Sequence, residues 1–164
     1  MSLSIAEEEI SRINADLVKG DYATWNYFQS IDTDANRDFV KRFKEKYGQH
    51  RVVDDPIESA YHSVHLFAAA VRKAGTDEVA AIARAARGVS FDDPEGDVKI
   101  DPDTQHVHRK VRIGQIRDDG QFKILWTSKT SIAPEPYPKY KSKAEWQAFL
   151  DGLYKKWGNK WAKE

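Results

Sequence analysis

The sequence WNYFQSIDTDAN, residues 25–36, decides how the chain is divided. Three large aromatic residues fall within its first four positions, and residues that favour helix starts follow almost at once. Aromatic side chains are enriched in strands, whereas the side-chain oxygen of Asp or Thr accepts a hydrogen bond from the free N–H groups at a helix start. The stretch therefore predicts a strand over 22–28 and a helix that begins near Asp34, capped by Asp32 or Thr33.

Two long helices are expected downstream of this stretch. The first extends over 34–47, because its apolar residues recur every three or four positions and Gly48 follows. The second begins at Asp55-Pro56, since proline is favoured in the first helical turn, and it ends at Gly75. Its apolar residues surround more than one face, which predicts that this helix is largely buried.

Shorter helices are expected on either side of these two. Near the start, Ser4 is predicted to cap a helix over 5–13 whose first turn is rich in carboxylates, which suits the positive end of the helix dipole. Further along, Thr76 is predicted to cap a helix that continues through Ala86 and is closed by Gly88.

The pattern changes to short strands after Gly88. A turn is expected over 91–96 and a strand around 98–100, and alternating residues predict another strand over 107–116. The sequence Asp118-Asp119-Gly120 is typical of a hairpin turn, so the chain should return as a strand over 122–126.

The last segment of the chain is predicted to be an extended connection followed by one helix. Residues 132–138 contain three prolines, which prevent regular helix or sheet formation. Ser142 is expected to cap the helix, which has an apolar stripe formed by Trp146, Phe149, Leu150, Leu153, Tyr154 and Trp157. The order of elements indicates an α/β protein with too few strands for a complete doubly wound sheet.

The composition limits the possible functions. The 164 residues contain 26 Lys and Arg against 26 Asp and Glu, a balance that argues against nucleic acid as a partner. The absence of cysteine excludes disulfides and thiol chemistry. No signal peptide is recognisable at the N-terminus, and no apolar stretch has the length of a membrane span.

Four histidines are candidates for a metal site. His62 and His65 can share a helix face, and His106 and His108 can share one side of a strand, so two pairs could form a tetrahedral site. The alternative is that these histidines lie at helix and strand edges without a ligand, and this is the interpretation preferred here, with no metal and no cofactor. No nucleophile motif is present, so no catalytic residue and no enzymatic activity are predicted.

Four aromatic residues with polar groups allow two interpretations. Trp25, Tyr27, Tyr61 and Trp126 combine large apolar bodies with a hydrogen-bonding group, as do many residues that line small-molecule pockets. Each of them could equally belong to the core.

Several stretches, in order, resemble one family over most of the chain. They are SLSIAEEEI (2–10), WNYFQSIDT (25–33), DDPIESAY (54–61), FDDPEGDVKID (91–101), QHVHRKVRIGQI (105–116), DGQFKILW (119–126), PEPYPK (134–139) and WQAFLDGLYKKWGNKW (146–161). They resemble the C-terminal portion of the urea-binding protein of urea ABC transporters, a branch shared with short-chain amide-binding proteins.

The resemblance implies a type I periplasmic-binding fold of the Leu/Ile/Val-binding kind, with two α/β lobes around a cleft. The fold would be incomplete without βαβ units upstream of Met1. Residues 1–30 would form the end of the second lobe and a crossing, 31–104 a helical part of the first lobe with a short strand, 105–140 a returning hairpin with the extended connection, and 141–164 the C-terminal helix.

The resemblance also implies a set of ligand-binding residues. Ser4, Ile5 and Glu7 would form a turn that faces the cleft, where Glu7 could accept a hydrogen bond from an amide –NH₂. Tyr27 would wall the cleft at the crossing, and Tyr61 would reach the ligand on closure. We expect the isolated chain to bind urea or acetamide weakly or not at all, because the main polar contacts would come from missing segments.

The function implied is that of the substrate-binding component of an ABC importer for urea or short-chain amides, with the transporter permease as partner and a periplasmic or extracytoplasmic location for the full-length protein. An amide-sensing regulator of the same fold is the alternative, and a small His-metal enzyme is an alternative of another class. Exposed apolar surface on an isolated part predicts self-association, so a homo-oligomer is possible.

Overall fold

The computed structural model describes residues 1–137 and 139–161, which divide into two compact units, Met1–Pro134 and Glu135–Glu164. The helices of the described residues are α1 (Glu7–Ile10), α2 (Asp34–Tyr47), α3 (Asp55–Ala74), α4 (Val79–Ala86) and α5 (Lys143–Lys156). The strands are β1 (Tyr22–Trp25), β2 (Ser90–Asp93), β3 (Gly96–Ile100), β4 (Val107–His108), β5 (Arg112–Ile116) and β6 (Phe122–Thr127), and a 3₁₀ turn spans Ala15–Leu17.

The first sheet has the order β1-β5-β6 and is antiparallel throughout. Its core is made of Ile10, Ala23, Phe28, Ile116 and Phe122. Gly114 is required in β5, because a Cβ at this position would lie 2.8 Å from the ring of Phe28 and 3.0 Å from that of Phe122. The hairpin predicted at Asp118-Asp119-Gly120 joins β5 to β6, and Gly120 has the positive φ of 73° that such a turn needs.

The second sheet has the order β2-β3-β4, also antiparallel, and α3 and α4 pack beside it. Leu66 and Ala70 of α3 form a core with Val89 and Val98. A third apolar cluster consists of Tyr27, Ile31, Phe39 and Val53, which packs α2 against the segment that follows β1.

Three segments connect the two sheets and are called the crossing segments below. Residues 26–33 lead from β1 to α2, and residues 109–111 lead from β4 to β5. Residues 128–132 follow β6 and pair with the second crossing, through Ser128 N–H to the carbonyl of Val111 at 2.9 Å and Ile132 N–H to that of Arg109 at 2.8 Å. The crossing segments therefore lie side by side between the sheets.

The predicted start of α1 was wrong. Ser4 is exposed and caps nothing, because the Oγ of Ser2 accepts from the N–H groups of Ser4 and Ile5, both at 3.1 Å. The helix begins at Glu7, and the Glu9 carboxylate accepts from the N–H of Ala6 at 2.9 Å. A Ser4 cap would accept from the N–H of Ala6 or Glu7, but the N–H of Ala6 donates to Glu9 instead.

Further boundaries also differ from the prediction: β1 ends at Trp25 rather than at residue 28, and α1 ends at Ile10 rather than at residue 13. Glu78, rather than Thr76, caps α4 by accepting from two backbone N–H groups. The expected turn over 91–96 is a hairpin whose arms are β2 and β3, and the single strand predicted over 107–116 is interrupted by the second crossing segment. The interruption occurs because β4 pairs in one sheet and β5 in the other.

The predicted burial of α3 was also wrong for one face. Leu66 and Ala70 are buried, whereas Val64 and Phe67 are 68% and 60% exposed. The described residues provide nothing to cover this second face.

The unit that contains α5 begins with Glu135. Ser142 caps α5 as predicted, in a capping box with Glu145. No residue of α5 is buried, so its apolar stripe is partly or fully exposed. Pro138 of the predicted connection and residues 162–164 of the predicted C-terminal helix region lie outside the described residues.

Candidate functional site

A solvent-open cleft of about 760 Å³ lies where α2 faces the turn between β5 and β6. The first crossing segment forms part of its wall through Gln29 and Ser30, while Lys41 of α2 and Gln121 lie on the flanks. The Oγ of Ser30 is buried and has no hydrogen-bond partner among the described residues. Because the Oγ is buried, a polar molecule in the cleft would reach this hydroxyl only after the wall moves.

Gln29 connects the parts of the protein that surround the cleft. Its side-chain nitrogen donates to Gln121 at 2.9 Å, and its side-chain oxygen accepts from the backbone N–H of Val53 at 2.8 Å. Its own backbone N–H donates to Glu7 Oε1 at 2.7 Å. Gln29 thus couples the first sheet, the first crossing segment and the loop before α3.

Glu7 is buried directly behind this wall. Burial raises the pKa of its carboxyl to about 8, although the N–H of Gln29 opposes the shift. Its Oε2 has no hydrogen-bond partner among the described residues. A buried carboxyl with one unpaired oxygen can either keep a proton or accept a hydrogen bond from a donor that reaches it.

The structure separates the residues predicted to bind a ligand. Ser4 is exposed, Ile5 is half-buried and accepts from the indole N–H of Trp25 at 2.8 Å through its carbonyl, and Glu7 is buried. Tyr27 is fully buried in the core and its hydroxyl donates to Asn36 at 2.7 Å, so it has no surface to offer a solute in this arrangement. The ligand-binding roles of these residues remain predictions.

Tyr61 lies at a different surface from Glu7. It lines a cavity of about 420 Å³ with aromatic residues of α2, and its ring lies 4.6 Å from that of Phe39 and 4.5 Å from that of His65. Arg42 and Lys46 lie at the same cavity. Its assignment as a ligand residue likewise remains a prediction.

A buried ionic cluster occupies the space between the crossing segments and α3. Arg109, in the second crossing segment, donates to Glu58 at 2.5 Å, to Glu95 at 3.0 and 2.7 Å, and to Ser59 at 2.7 Å. Burial alone lowers the pKa of Arg109, but Glu95 and the neighbouring carboxylates outweigh it and keep the guanidinium charged. The cluster joins α3, the β2–β3 turn and the crossing.

Two further residues extend this cluster to the first crossing segment. Asp55, at the start of α3, accepts from the backbone N–H groups of Asn26 and Tyr27 at 3.1 and 2.8 Å. Arg112 of β5 donates to the carbonyls of Asn26 and Glu95. All these contacts join residues far apart in sequence, so the sequence analysis did not predict them. The sequence signal that could have pointed to them is the presence of Asp55 and Glu58 in α3, a helix expected to be largely buried.

The four histidines do not converge among the described residues. His62 is buried with its Nδ1 3.1 Å from Glu58, His65 stacks on Phe91, His106 is exposed, and His108 lies 3.0 Å from Asp101. The tetrahedral site formed by two histidine pairs, on which the metal-enzyme alternative depends, is therefore not formed. Burial alone lowers the pKa of His62, but Asp93 and Glu58 outweigh it and raise the pKa to about 9.

The chain forms two antiparallel sheets with their helices, and an open cleft lies beside the crossing segments, a place where small-molecule sites commonly occur in α/β proteins. Residues 1–143 match the family described as periplasmic binding protein domain, and the chain belongs to that family. The match ends near the start of α5, so most of that helix lies beyond it.

Known proteins resemble the chain over part of their lengths. A solved amino acid ABC transporter substrate-binding protein from Pseudomonas fluorescens Pf-5 is 19% identical, with a TM-score of 0.67 over 79% of this chain and 36% of that one. An ABC transporter solute-binding protein from Rhodopseudomonas palustris BisB5, in complex with 3,4-dihydroxybenzoic acid, is 20% identical, with a TM-score of 0.65 over 73% and 33%.

A protein named limonene hydroxylase from Geobacillus stearothermophilus is 33% identical over 117 residues, which are 71% of this chain and 21% of that protein. The chain spans only 21% and 27% of the lengths of the curated relatives that it matches first. A match this short carries no activity to the chain, whose family is one of binding proteins.

These comparisons confirm the α/β class and the partial type I periplasmic-binding fold. The chain covers about a third of the length of its solved relatives. The two solved relatives share this fold with the chain at 19% and 20% identity. Within the described ranges, no helix combines the length and apolar character needed to cross a membrane.

Proposed function

We propose that the chain is the later part of a solute-binding protein that delivers urea or a short-chain amide to an ABC importer from an extracytoplasmic location. The observation that carries this proposal is the unpaired, buried hydroxyl of Ser30 at the wall of the cleft, beside the amides of Gln29 and Gln121. A urea carbonyl can accept from a hydroxyl while its N–H groups donate to side-chain amide oxygens.

Glu7 would complete this site from behind the wall. Its unpaired Oε2 matches the N–H donors of an amide, and a bound donor would favour the ionised carboxylate. Because the N–H of Gln29 already donates to the other oxygen, a shift of the first crossing segment would expose Glu7 and Ser30 together. The remaining contacts, and the assignment of residues 31–104 to the first lobe, belong to the same proposal.

A carboxylate-bearing solute is the second candidate. Lys41 and Lys44 line the cleft and form no ion pair with any described residue. Two cations in such a wall favour an anion, and relatives of the chain are named for amino acids and bind a dihydroxybenzoic acid.

The test is calorimetric titration of the protein encoded by the complete open reading frame, with urea, acetamide and benzoate in parallel. Binding of urea or acetamide, weakened about 5- to 30-fold by Ser30→Ala but not by Ser4→Ala, would support the amide proposal, since a buried hydrogen bond to a ligand contributes about 1–2 kcal/mol. Binding of benzoate alone, lost in Lys41→Gln, would establish the second candidate and overturn the first.

The 164-residue chain provides a separate measurement. We expect it to bind urea weakly or not at all, because Glu7 is closed off and the chain covers about a third of its solved relatives. Micromolar affinity of this chain for urea would show that the upstream segments contribute little to the site.

A further inference from the structure

We propose that Glu58, His62 and Asp93 form a buried site for a divalent transition-metal cation. The site lies within the second sheet and α3, away from the cleft, and it does not depend on the solute proposed above. The sequence analysis grouped His62 with other histidines and did not predict a site that combines it with Glu58 and Asp93.

The positions of the ligand atoms fit a metal ion. Glu58 and His62 are one helical turn apart on α3, and Asp93 ends β2. His62 Nδ1 lies 3.1 Å from Glu58 Oε1 and 3.8 Å from Asp93 Oδ2, and one ligand atom from each residue lies within 4.8 Å of the others. Two ligand atoms about 2.1 Å from one zinc ion lie about 3.4 Å apart at the tetrahedral angle, between the two observed distances.

Asp93 provides an independent observation that points to a ligand. The residue is 1% exposed, and its Oδ1 is buried without a hydrogen-bond partner among the described residues. Its Oδ2 accepts a long hydrogen bond, 3.4 Å, from the N–H of Glu95 and lies 3.8 Å from His62 Nδ1. An unpaired carboxylate oxygen in the interior is costly, and coordination of a cation removes the cost.

The charge of the surrounding cluster also favours a dication. The buried carboxylates are Asp55, Glu58, Asp93 and Glu95, whereas the guanidinium groups among them are those of Arg109 and Arg112. A metal ion would displace the proton of His62, and with this imidazole neutral the four carboxylates exceed the two guanidinium groups by two charges. One divalent cation offsets this difference without displacing either arginine.

A neighbouring group holds one of the ligands, Glu58, in place. Glu58 uses Oε1 towards His62 and Oε2 towards Arg109, whose Nη2 lies 2.5 Å away, so the carboxylate plane is fixed by a partner outside the site. Outer partners of this kind orient ligands and strengthen metal binding. Because the set combines one imidazole with two carboxylates and no thiolate, it suits zinc or manganese better than calcium.

The cation would join α3 to the β2–β3 hairpin, which are otherwise linked there by the contact between His62 and Asp93. It would therefore stabilise the second sheet rather than take part in solute chemistry. An ordinary proton shared between Glu58 and His62 is the competing explanation of the 3.1 Å contact.

The experiment measures Zn²⁺ binding to the 164-residue chain with a chromophoric competitor, together with thermal unfolding. One Zn²⁺ per chain and a higher unfolding temperature are expected, with no comparable effect of Ca²⁺. Asp93→Asn should weaken Zn²⁺ binding at least about tenfold, whereas Asp92→Asn, its exposed neighbour on the same strand, should leave it unchanged. Failure of the wild-type chain to bind one ion, or equal affinity of the two variants, would overturn the proposal in favour of the shared proton.

X-ray absorption of the wild-type zinc complex keeps the test decisive if Asp93→Asn does not fold. One imidazole nitrogen and oxygen neighbours at about 2.0–2.2 Å are expected around the ion. Two or more imidazoles would place the metal on the other histidines and refute the site. His106→Gln, which alters an exposed histidine, should leave the spectrum unchanged.

Discussion

Residues 25–28 and 146–161 are both rich in aromatic side chains, yet the structure places them in opposite environments. Tyr27 and Phe28 have no exposed surface, whereas Phe149, Trp157 and Trp161 are 49%, 48% and 60% exposed. Phe28 packs 4.5 Å from Phe122 across the first sheet, while the aromatic residues of the C-terminal unit contact one another. Burial in this protein thus depends on partners brought from distant positions, and composition alone does not decide it.

Ionic contacts differ between the same two regions. Around the crossing segments, Arg109 pairs with Glu58 and Glu95, whose side chains are almost completely buried. In the C-terminal unit, Lys139 and Glu135 form an exposed pair. A charge pair that is removed from water should matter far more than a solvated one, because the unpaired partner cannot be rehydrated.

The largest effect is expected from Arg109→Met. Removing the guanidinium leaves Glu58 and Glu95 buried without compensation, and the free energy of unfolding should fall by about 3–5 kcal/mol. Guanidinium chloride denaturation measures it, since urea is a candidate ligand. The matched change Lys139→Met should alter stability by less than about 1 kcal/mol. Similar losses in both variants would remove the distinction between the regions.

The second effect concerns the pH dependence contributed by Glu7. The folded-state pKa of about 8 exceeds the usual value of 4.5, so the folded protein holds the proton more tightly than the unfolded chain. The contribution of Glu7 to stability is therefore complete below pH 4.5 and is lost as pH rises towards about 8. At about 1.4 kcal/mol per pKa unit, the loss amounts to a few kcal/mol.

Glu7→Gln isolates this contribution. The variant should lose less stability than wild type between pH 5 and pH 8, and it should be the more stable protein at pH 8, as measured by thermal unfolding across that range. Glu145→Gln, in the exposed cap of α5, serves as a control and should leave the slope over this range unchanged. Parallel curves for wild type and Glu7→Gln would show that Glu7 is ionised throughout.

A pair of glycine substitutions should change stability in opposite directions. Gly114→Ala forces a methyl group against Phe28 and Phe122, which should cost about 1–3 kcal/mol. Gly152→Ala lies in the exposed helix α5, where a Cβ meets nothing within 4 Å, and should stabilise the helix by about 0.5–1 kcal/mol. A gain of stability from Gly114→Ala would contradict the close packing of Phe28 and Phe122 around this position.

The smallest effect on stability, and a separate effect on association, is expected from the exposed aromatic residues. Trp157→Ser should change the free energy of unfolding by no more than about 0.5 kcal/mol. It should reduce self-association in light scattering at high concentration, because exposed apolar surface drives association. Lys155→Ser on the same helix is the control, and a monomeric wild-type chain would contradict the expectation.

The sequence predicted the long helices well because their signals are local. Thr33 caps α2 through the N–H of Asn36, Asp54 and Pro56 mark the start of α3, and Ser142 caps α5, each within a few residues of its partner. The family could be recognised for a related reason, since ordered motifs survive in the sequence whether or not their structural partners are present.

The candidate site was much less predictable. Glu7 was singled out, but its burial behind Gln29 and the unpaired hydroxyl of Ser30 depend on how the first crossing segment lies against the first sheet. The family resemblance implied that Tyr27 walls the cleft, a role that stays a prediction; in the structure its hydroxyl is held in the core by Asn36.

The sequence by itself determined the boundaries of the long helices α2, α3 and α5, the β5–β6 hairpin and the α/β class, because capping, turn chemistry and periodicity act over a few residues. Only the tertiary structure decided which sheet each strand joins, which aromatic residues are buried, and that Arg109 meets Glu58 across 51 positions of the chain. The physical reason is that burial and ion pairing are properties of residues brought together from distant positions, and a single sequence contains no signal for that distance.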